Sequence, residues 1–180
     1  MNSFTDEAIV LRSKDLGEAD RILTIMTRDH GKIRVMAKGI RRPTSRKGGN
    51  LDLLTLSRVS IRKSRDWHLV TEANSLNSFL SLKKGVNIIS KAYYLCELVD
   101  SLCPLEQPDE FVFDLLATIL TSFQKNSTRK IWDFEYDLLK HLGYITAENR
   151  QNGLRAFIGG IIERELKTPK FYYSVLSLSS

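Results

Sequence analysis

Near residue 77 the hydrophobic pattern of this 180-residue chain changes its period. Before that point, apolar residues come in short runs that alternate with polar ones. After it they recur every three to four residues, the spacing of one helix face. A chain with such a switch builds strands first and helices afterwards. The class expected is α+β, with a strand unit over residues 1–76 and an all-α unit over residues 77–180.

Five runs in the first part read as strands: residues 7–13, 20–27, 32–38, 51–63 and 67–73. Asp29-His30-Gly31 is a turn signal between the second and third. In the third run Ile33, Val35 and Ala37 point one way, while Lys32, Arg34 and Lys38 point the other, because side chains alternate along a strand. In the fourth the apolar phase slips between Leu56 and Val59, which places a bulge or a sharp coil there. Five short antiparallel strands of this kind fit an OB-like β-barrel. An SH3-like barrel gives the same pattern, and periodicity does not choose between them.

Four helices are expected beyond the switch. The first, 86–103, carries Ile89, Ala92, Tyr93, Cys96, Val99 and Leu102. Pro108 suits the first turn of the second, whose apolar face runs from Phe111 to Phe123. Ser127 or Thr128 caps a third, which Gly143 ends in the left-handed conformation. Asn152 caps a fourth, carrying Leu154 to Leu166 and ended by Thr168-Pro169. Gly159-Gly160 inside that helix costs about 1 kcal/mol per glycine relative to alanine, and close packing against a neighbour would explain the pair.

Charge separates the same two parts. The formal net charge is +6, but residues 1–65 hold 15 basic and 7 acidic side chains, while the rest hold 12 and 14. The whole basic excess therefore sits on the strand unit, which suits a polyanionic partner for that unit alone. Much of it is in the connection 39–50, GIRRPTSRKGGN, where Arg41, Arg42, Arg46 and Lys47 stand without an acid. Glycine and proline keep this loop irregular. Mutual repulsion is expected to keep it mobile until an anion neutralises it. Together with Lys32, Arg34 and Lys38 it forms the expected phosphate-binding surface.

Chemistry of other kinds finds little support. His30, His68 and His141 are isolated, and no phosphate-binding glycine loop of the P-loop type is present. Asp133 and Asp137 share one helix face, with Glu135 off it, which is an acidic stripe and not a convergent metal site. Cys96 and Cys103 lie seven apart in an apolar helix and read as two reduced core thiols. Two cysteines without a histidine pair cannot complete a zinc site. The chain is expected to be no enzyme and to need no cofactor or metal. No run approaches the ~20 apolar residues of a membrane span, and the acidic start MNSFTDEAIVLRS lacks a signal peptide's basic region. A cytoplasmic protein is expected.

The stretch EAIVLRSKDLGEADRILTIMTRDHGKIRVMAKGIRRPTSRKGGNLDLLTLSRVSI resembles the N-terminal domain of the bacterial RecO family. The shared pattern is a G-E-A-D turn (Gly17 to Asp20), a T-x-x-x-G-K hairpin (Thr27 to Lys32), A-K-G-x-R-R (Ala37 to Arg42) and Ser45. AYYLCELVDSL is similar to the family's first long helix and FEYDLLKHLGY to a later one. GLRAFIGGIIERELKTPKF is similar to its last helix and the ending that follows, with Thr168 in place of serine. The resemblance implies an OB-fold followed by a helical domain, binding to single- and double-stranded DNA, and annealing of complementary strands. It also implies partnership with RecR and with the C-terminal tail of the single-stranded DNA-binding protein SSB, in helping RecA load during recombinational repair at the nucleoid.

Two departures qualify the likeness. Many family members carry a four-cysteine zinc motif after the helix that ends in Gly-Tyr. Here Tyr144 is followed by ITAENRQN without a cysteine, so the chain reads as a short form without the zinc module, its flanking helices joined by a short loop. Basic residues can also stand directly before the Phe-Glu of that helix in the family, where this chain has Trp132-Asp133. The SSB tail is then expected in an apolar groove near Phe134, Leu138 and Leu139, with Arg129 or Lys130 meeting its carboxylates. The alternative is an OB-fold RNA-binding protein or RNA chaperone. Aromatics on the basic face would favour specific single-strand recognition by stacking; none lies between Lys32 and Asn50, which favours backbone contact without sequence readout.

Overall fold

The computed structural model describes residues 3–65, 67–125, 131–146 and 154–162. Strands β1 (Ser3–Leu16), β2 (Asp20–Thr27), β3 (Gly31–Ala37), β4 (Leu56–Arg62) and β5 (His68–Asn77) close into a barrel. The order around it is β1-β2-β3-β5-β4, with β4 returning to β1. This is the OB arrangement, and it settles the choice that periodicity left open. The expectation of an all-antiparallel barrel is corrected at one seam, because β3 and β5 run parallel, pairing Val35 with His68 and Met36 with Leu69. The long connection after β3 carries the chain across the barrel before β4 begins, and parallel neighbours need such a crossover.

The chain around residue 55 differs from its expectation. Residues 51–55 are not strand: a single 3-10 turn, Gly49–Leu51, precedes β4, and Leu54 has a positive φ of 68°. Leu51 and Leu54 are nonetheless fully buried, so their apolar character reported burial and not strand. The phase slip is real, since the β4–β5 register shifts between Leu56 and Ser57 and again between Ser60 and Ile61.

Helices α1 (Val86–Leu102), α2 (Glu110–Gln124), α3 (Ile131–His141) and α4 (Leu154–Ile162) follow. The start of α2 is one residue pair later than Pro108 implied. Asp109 is the cap, its side chain accepting a bond from the Val112 amide at 3.1 Å, and Pro108 lies just outside. Gly143 ends α3 at φ +80°, as the sequence indicated. Among the described residues, a Cβ at Gly159 or Gly160 would meet nothing within 4 Å, so none of them accounts for that pair by close packing. The caps expected from Ser127, Thr128 and Asn152, the α4 extension to Leu166 with its Thr168-Pro169 stop, and most of the short loop expected after Tyr144 lie outside the described residues.

Two cores share β1. Ala8 and Val10 point into the barrel with Leu23, Ile25, Val35, Val59 and Ile61. Ile9 and Leu11 point outward and join Met26 and Leu54 beneath the helices, where α2 alone buries seven apolar side chains. Each such side chain contributes roughly 1.5–3 kcal/mol relative to exposure. A buried hydrogen bond of 2.6 Å from the Tyr94 hydroxyl to Glu135 ties α1 to α3 and explains why that acid faces inward. Cys96 and Cys103 are buried and unpaired with each other, and burial pushes both thiols up to about 12.

The helices rest chiefly on β1 and β2, and they also reach β3. Its edge beyond the reach of β5 is covered by the α1–α2 connection: Leu105 bridges to Lys32, and the Glu106 amide donates to the Lys32 carbonyl at 2.8 Å. Arg28, on the β2–β3 turn, reaches Glu110 at 3.0 Å and Asp114 at 2.8 Å while lying 4.8 Å from the centre of the Phe113 ring. No helix among the described residues is long and apolar enough to cross a membrane.

Candidate nucleic-acid interface

The connection from β3 to β4 folds as consecutive turns laid against β5. Gly39, at φ +66°, donates its amide to Asp20 at 2.7 Å, which fixes where the connection leaves the barrel. Asn50 closes the other end, its side-chain amide donating to the carbonyls of Arg46 at 3.0 Å and Ala73 at 2.9 Å. Between them the Lys47 ammonium donates to the Val70 carbonyl at 3.2 Å. The loop is thus pinned to the strand it crosses in spite of its charge.

This arrangement opens a groove of about 560 Å³ between the loop and β5. Lys38, Arg42, Arg46 and Lys47 line it on the loop side, with Thr44 and Ser45 between them. Thr71, Glu72 and Asn74 line it on the β5 side, and Glu72 is the only acid among its described lining residues. Four cations with hydroxyl and amide donors interspersed can neutralise and hydrogen-bond phosphate oxygens, which is what positions a protein on a nucleic-acid backbone. Sequence reading missed Thr71 and Asn74. As polar residues on a half-exposed strand they carry no signal until the loop is folded across them.

The other predicted cations are distributed differently. Arg34 is exposed on the outer face of β3, as alternation required. Arg41 turns away from the groove towards the β1–β2 turn, donating to the Gly17 carbonyl at 3.2 Å and lying 3.4 Å from Asp15. Lys32 is corrected: it is only 6% exposed, its ammonium donates to the Asp100 carbonyl at 2.6 Å, and the Asp100 carboxylate lies 3.7 Å away. Alternation does place it on the outer face of β3, but α1 covers that end of the strand. Burial pulls its ammonium below the ordinary lysine value, against the opposing pull of Asp100.

The expected partner groove on α3 is corrected as well. Phe134, Leu138 and Leu139 are each fully buried in the helix-side core, so no peptide reaches them on the surface. Arg129 and Lys130 lie outside the described residues.

A closed five-stranded barrel with a cationic groove, followed by a helical domain packed on its outer face, places the chain among the OB-fold proteins. Family models narrow that placement. The N-terminal model of recombination protein O matches residues 1–79 and the C-terminal model residues 87–151. Proteins called DNA repair protein RecO are similar along most of the chain. The one from Pelotomaculum thermopropionicum is 34% identical over 161 residues, covering 89% of this chain and 63% of its own length. That of Heliobacterium modesticaldum is 37% identical over 147 residues, 80% of this chain and 53% of the relative. The chain belongs to the RecO family. It spans about three-fifths of the length of the first of these relatives and about half of the second.

Proposed function

We propose that the protein is a DNA-repair mediator whose barrel groove holds the phosphate backbone of DNA. The observation that carries this is the convergence of Lys38, Arg42, Arg46 and Lys47 on one concave surface, in a chain whose relatives are named for DNA repair. The mechanism needs no reacting group. A groove that neutralises phosphates lowers the repulsion between two complementary strands, and base pairing then completes annealing. In this reading the protein anneals strands and helps RecA load on SSB-coated DNA during recombinational repair, with RecR as a further partner.

The family resemblance supports an interaction with the SSB tail, with Arg129 and Lys130 as the cations for the tail's carboxylates. Arg129→Glu with Lys130→Glu is expected to weaken binding of a tail peptide about tenfold and leave DNA binding unchanged. Unchanged peptide affinity would remove these two residues from the proposal.

The central test is an annealing assay on complementary strands, bare and SSB-coated, alongside filter binding at several salt concentrations. Annealing should be accelerated, and both single- and double-stranded DNA should bind with affinity that falls steeply with salt. Affinity insensitive to salt, or none for either form, would defeat the reading.

A further inference from the structure

The strand pairing brings together two residues that are 33 positions apart in sequence. In the parallel seam Val35 pairs with His68 and Met36 with Leu69, so Arg34 and Trp67 each immediately precede the first paired residues, at the end of the seam where β5 begins. Val35 is buried in the barrel, which turns its neighbour Arg34 outward. Trp67 is 38% exposed, a large value for so apolar a ring. Arg62 at the end of β4 and Lys63 and Arg65 in the β4–β5 turn are exposed, and Lys63 is held 5.2 Å from the centre of the Phe4 ring. Asp66 is the one acid in that stretch of sequence.

This cluster is continuous with the groove. Arg34, Met36 and Lys38 follow one another on the same side of the β3 chain, and Lys38 lines the groove. Arg34 and Lys38, just past the end of β3, are four residue steps apart, roughly 13 Å at ~3.3 Å per extended residue. Trp67, just before β5, is likewise four residue steps from Thr71 on the groove's other wall. A polyanion lying in the groove and continuing along the β3–β5 seam meets a guanidinium beside an exposed indole.

We propose that Trp67, flanked by Arg34, is a stacking platform for an unpaired base of a DNA strand held by the groove. An indole offers a base a π-face whatever its identity, and a neighbouring guanidinium adds a hydrogen-bonded phosphate. Duplex DNA keeps its bases stacked internally and cannot use such a platform. The groove therefore serves both forms of DNA, whereas the platform favours the single strand. This rests on the groove's reading as a DNA site.

The chain has two tryptophans, so Trp132→Phe leaves Trp67 as the only indole. In that background, titration with oligodeoxythymidylate should quench the fluorescence, and a blunt duplex should quench it far less. In the otherwise intact chain, Trp67→Ala should weaken oligodeoxythymidylate binding about tenfold. It should leave duplex affinity within about twofold and leave the salt dependence unchanged. Trp67→Phe should recover most of the loss, since a phenyl ring also stacks, while the unchanged duplex affinity of Trp67→Ala excludes a folding defect. Arg42→Ala with Arg46→Ala should weaken both forms of DNA. If that pair acts as expected but Trp67→Ala affects both forms equally or neither, the platform is wrong and the groove stands. If the pair changes neither, the groove reading falls first and takes the platform with it.

Discussion

Gly31 shows how much one backbone position can demand. It sits at φ +70° where the α1–α2 connection crosses β3, and a Cβ there would fall 1.9 Å from the Gln107 carbonyl oxygen. Gly17 has a similar φ of +59° but nothing within 4 Å. Gly31→Ala should therefore cost about 2–4 kcal/mol, from left-handed strain plus a backbone clash, and Gly17→Ala only about 1 kcal/mol. Urea midpoints of the two variants check the difference, and equal losses would mean that the connection does not press on β3. Buried titratable groups add a pH dependence. Cys96 and Cys103 keep their protons to about 12 in the folded chain, against 9.0 as the ordinary value. Above pH 9 the unfolded state releases protons that the folded state retains, so stability falls as pH rises. Lys32 acts oppositely, because its folded value is lowered below 10.5 and the unfolded chain holds that proton longer. Two thiols outweigh one lysine, and the unfolding free energy should decline between pH 9 and 10. Cys96→Ala with Cys103→Ala should shrink that slope, whatever it does to stability at neutral pH.

At the scale of elements the β3–β4 connection decides where cations are useful. Its arginines were equivalent in sequence, but the fold sends Arg42 and Arg46 to the groove and Arg41 to Asp15. Arg42→Ala with Arg46→Ala should reduce the slope of log affinity against log salt by roughly 0.7–0.9 for each phosphate that is no longer neutralised. Arg41→Ala should change it less, since that guanidinium already has a carboxylate, and Lys32→Met should leave it unaltered. A large effect from Lys32→Met without loss of folding would mean that the seam opens to DNA. The loop's bonds to Val70 and Ala73 also explain why a cationic segment can stay folded: the side chains of Lys47 and Asn50 donate to carbonyls of β5 and hold it against that strand.

For the whole molecule, α3 belongs to the core that joins the barrel to the helices. Phe134→Ala should cost about 3–5 kcal/mol and Leu138→Ala about 2–5 kcal/mol, because each empties a fully buried site. Chemical denaturation measures both, and a loss below about 1 kcal/mol would mean that α3 packs more loosely than the structure shows. Local patterning was enough to read the α+β class, the change from strand to helix near residue 77, the inward row of Ile33, Val35 and Ala37, the Gly143 stop and the concentration of positive charge in the barrel. These follow from period, turn chemistry and composition, which act over a few residues. Packing between distant segments was needed before β3 could be seen to meet β5 in parallel, α1 to bury Lys32, Arg41 to leave its neighbours for Asp15, and Thr71 and Asn74 to face the cationic loop. Each of these depends on which remote segment covers a given strand face. A strand's alternation says which way a side chain points but not what lies there, because that is fixed by packing between segments far apart in the chain.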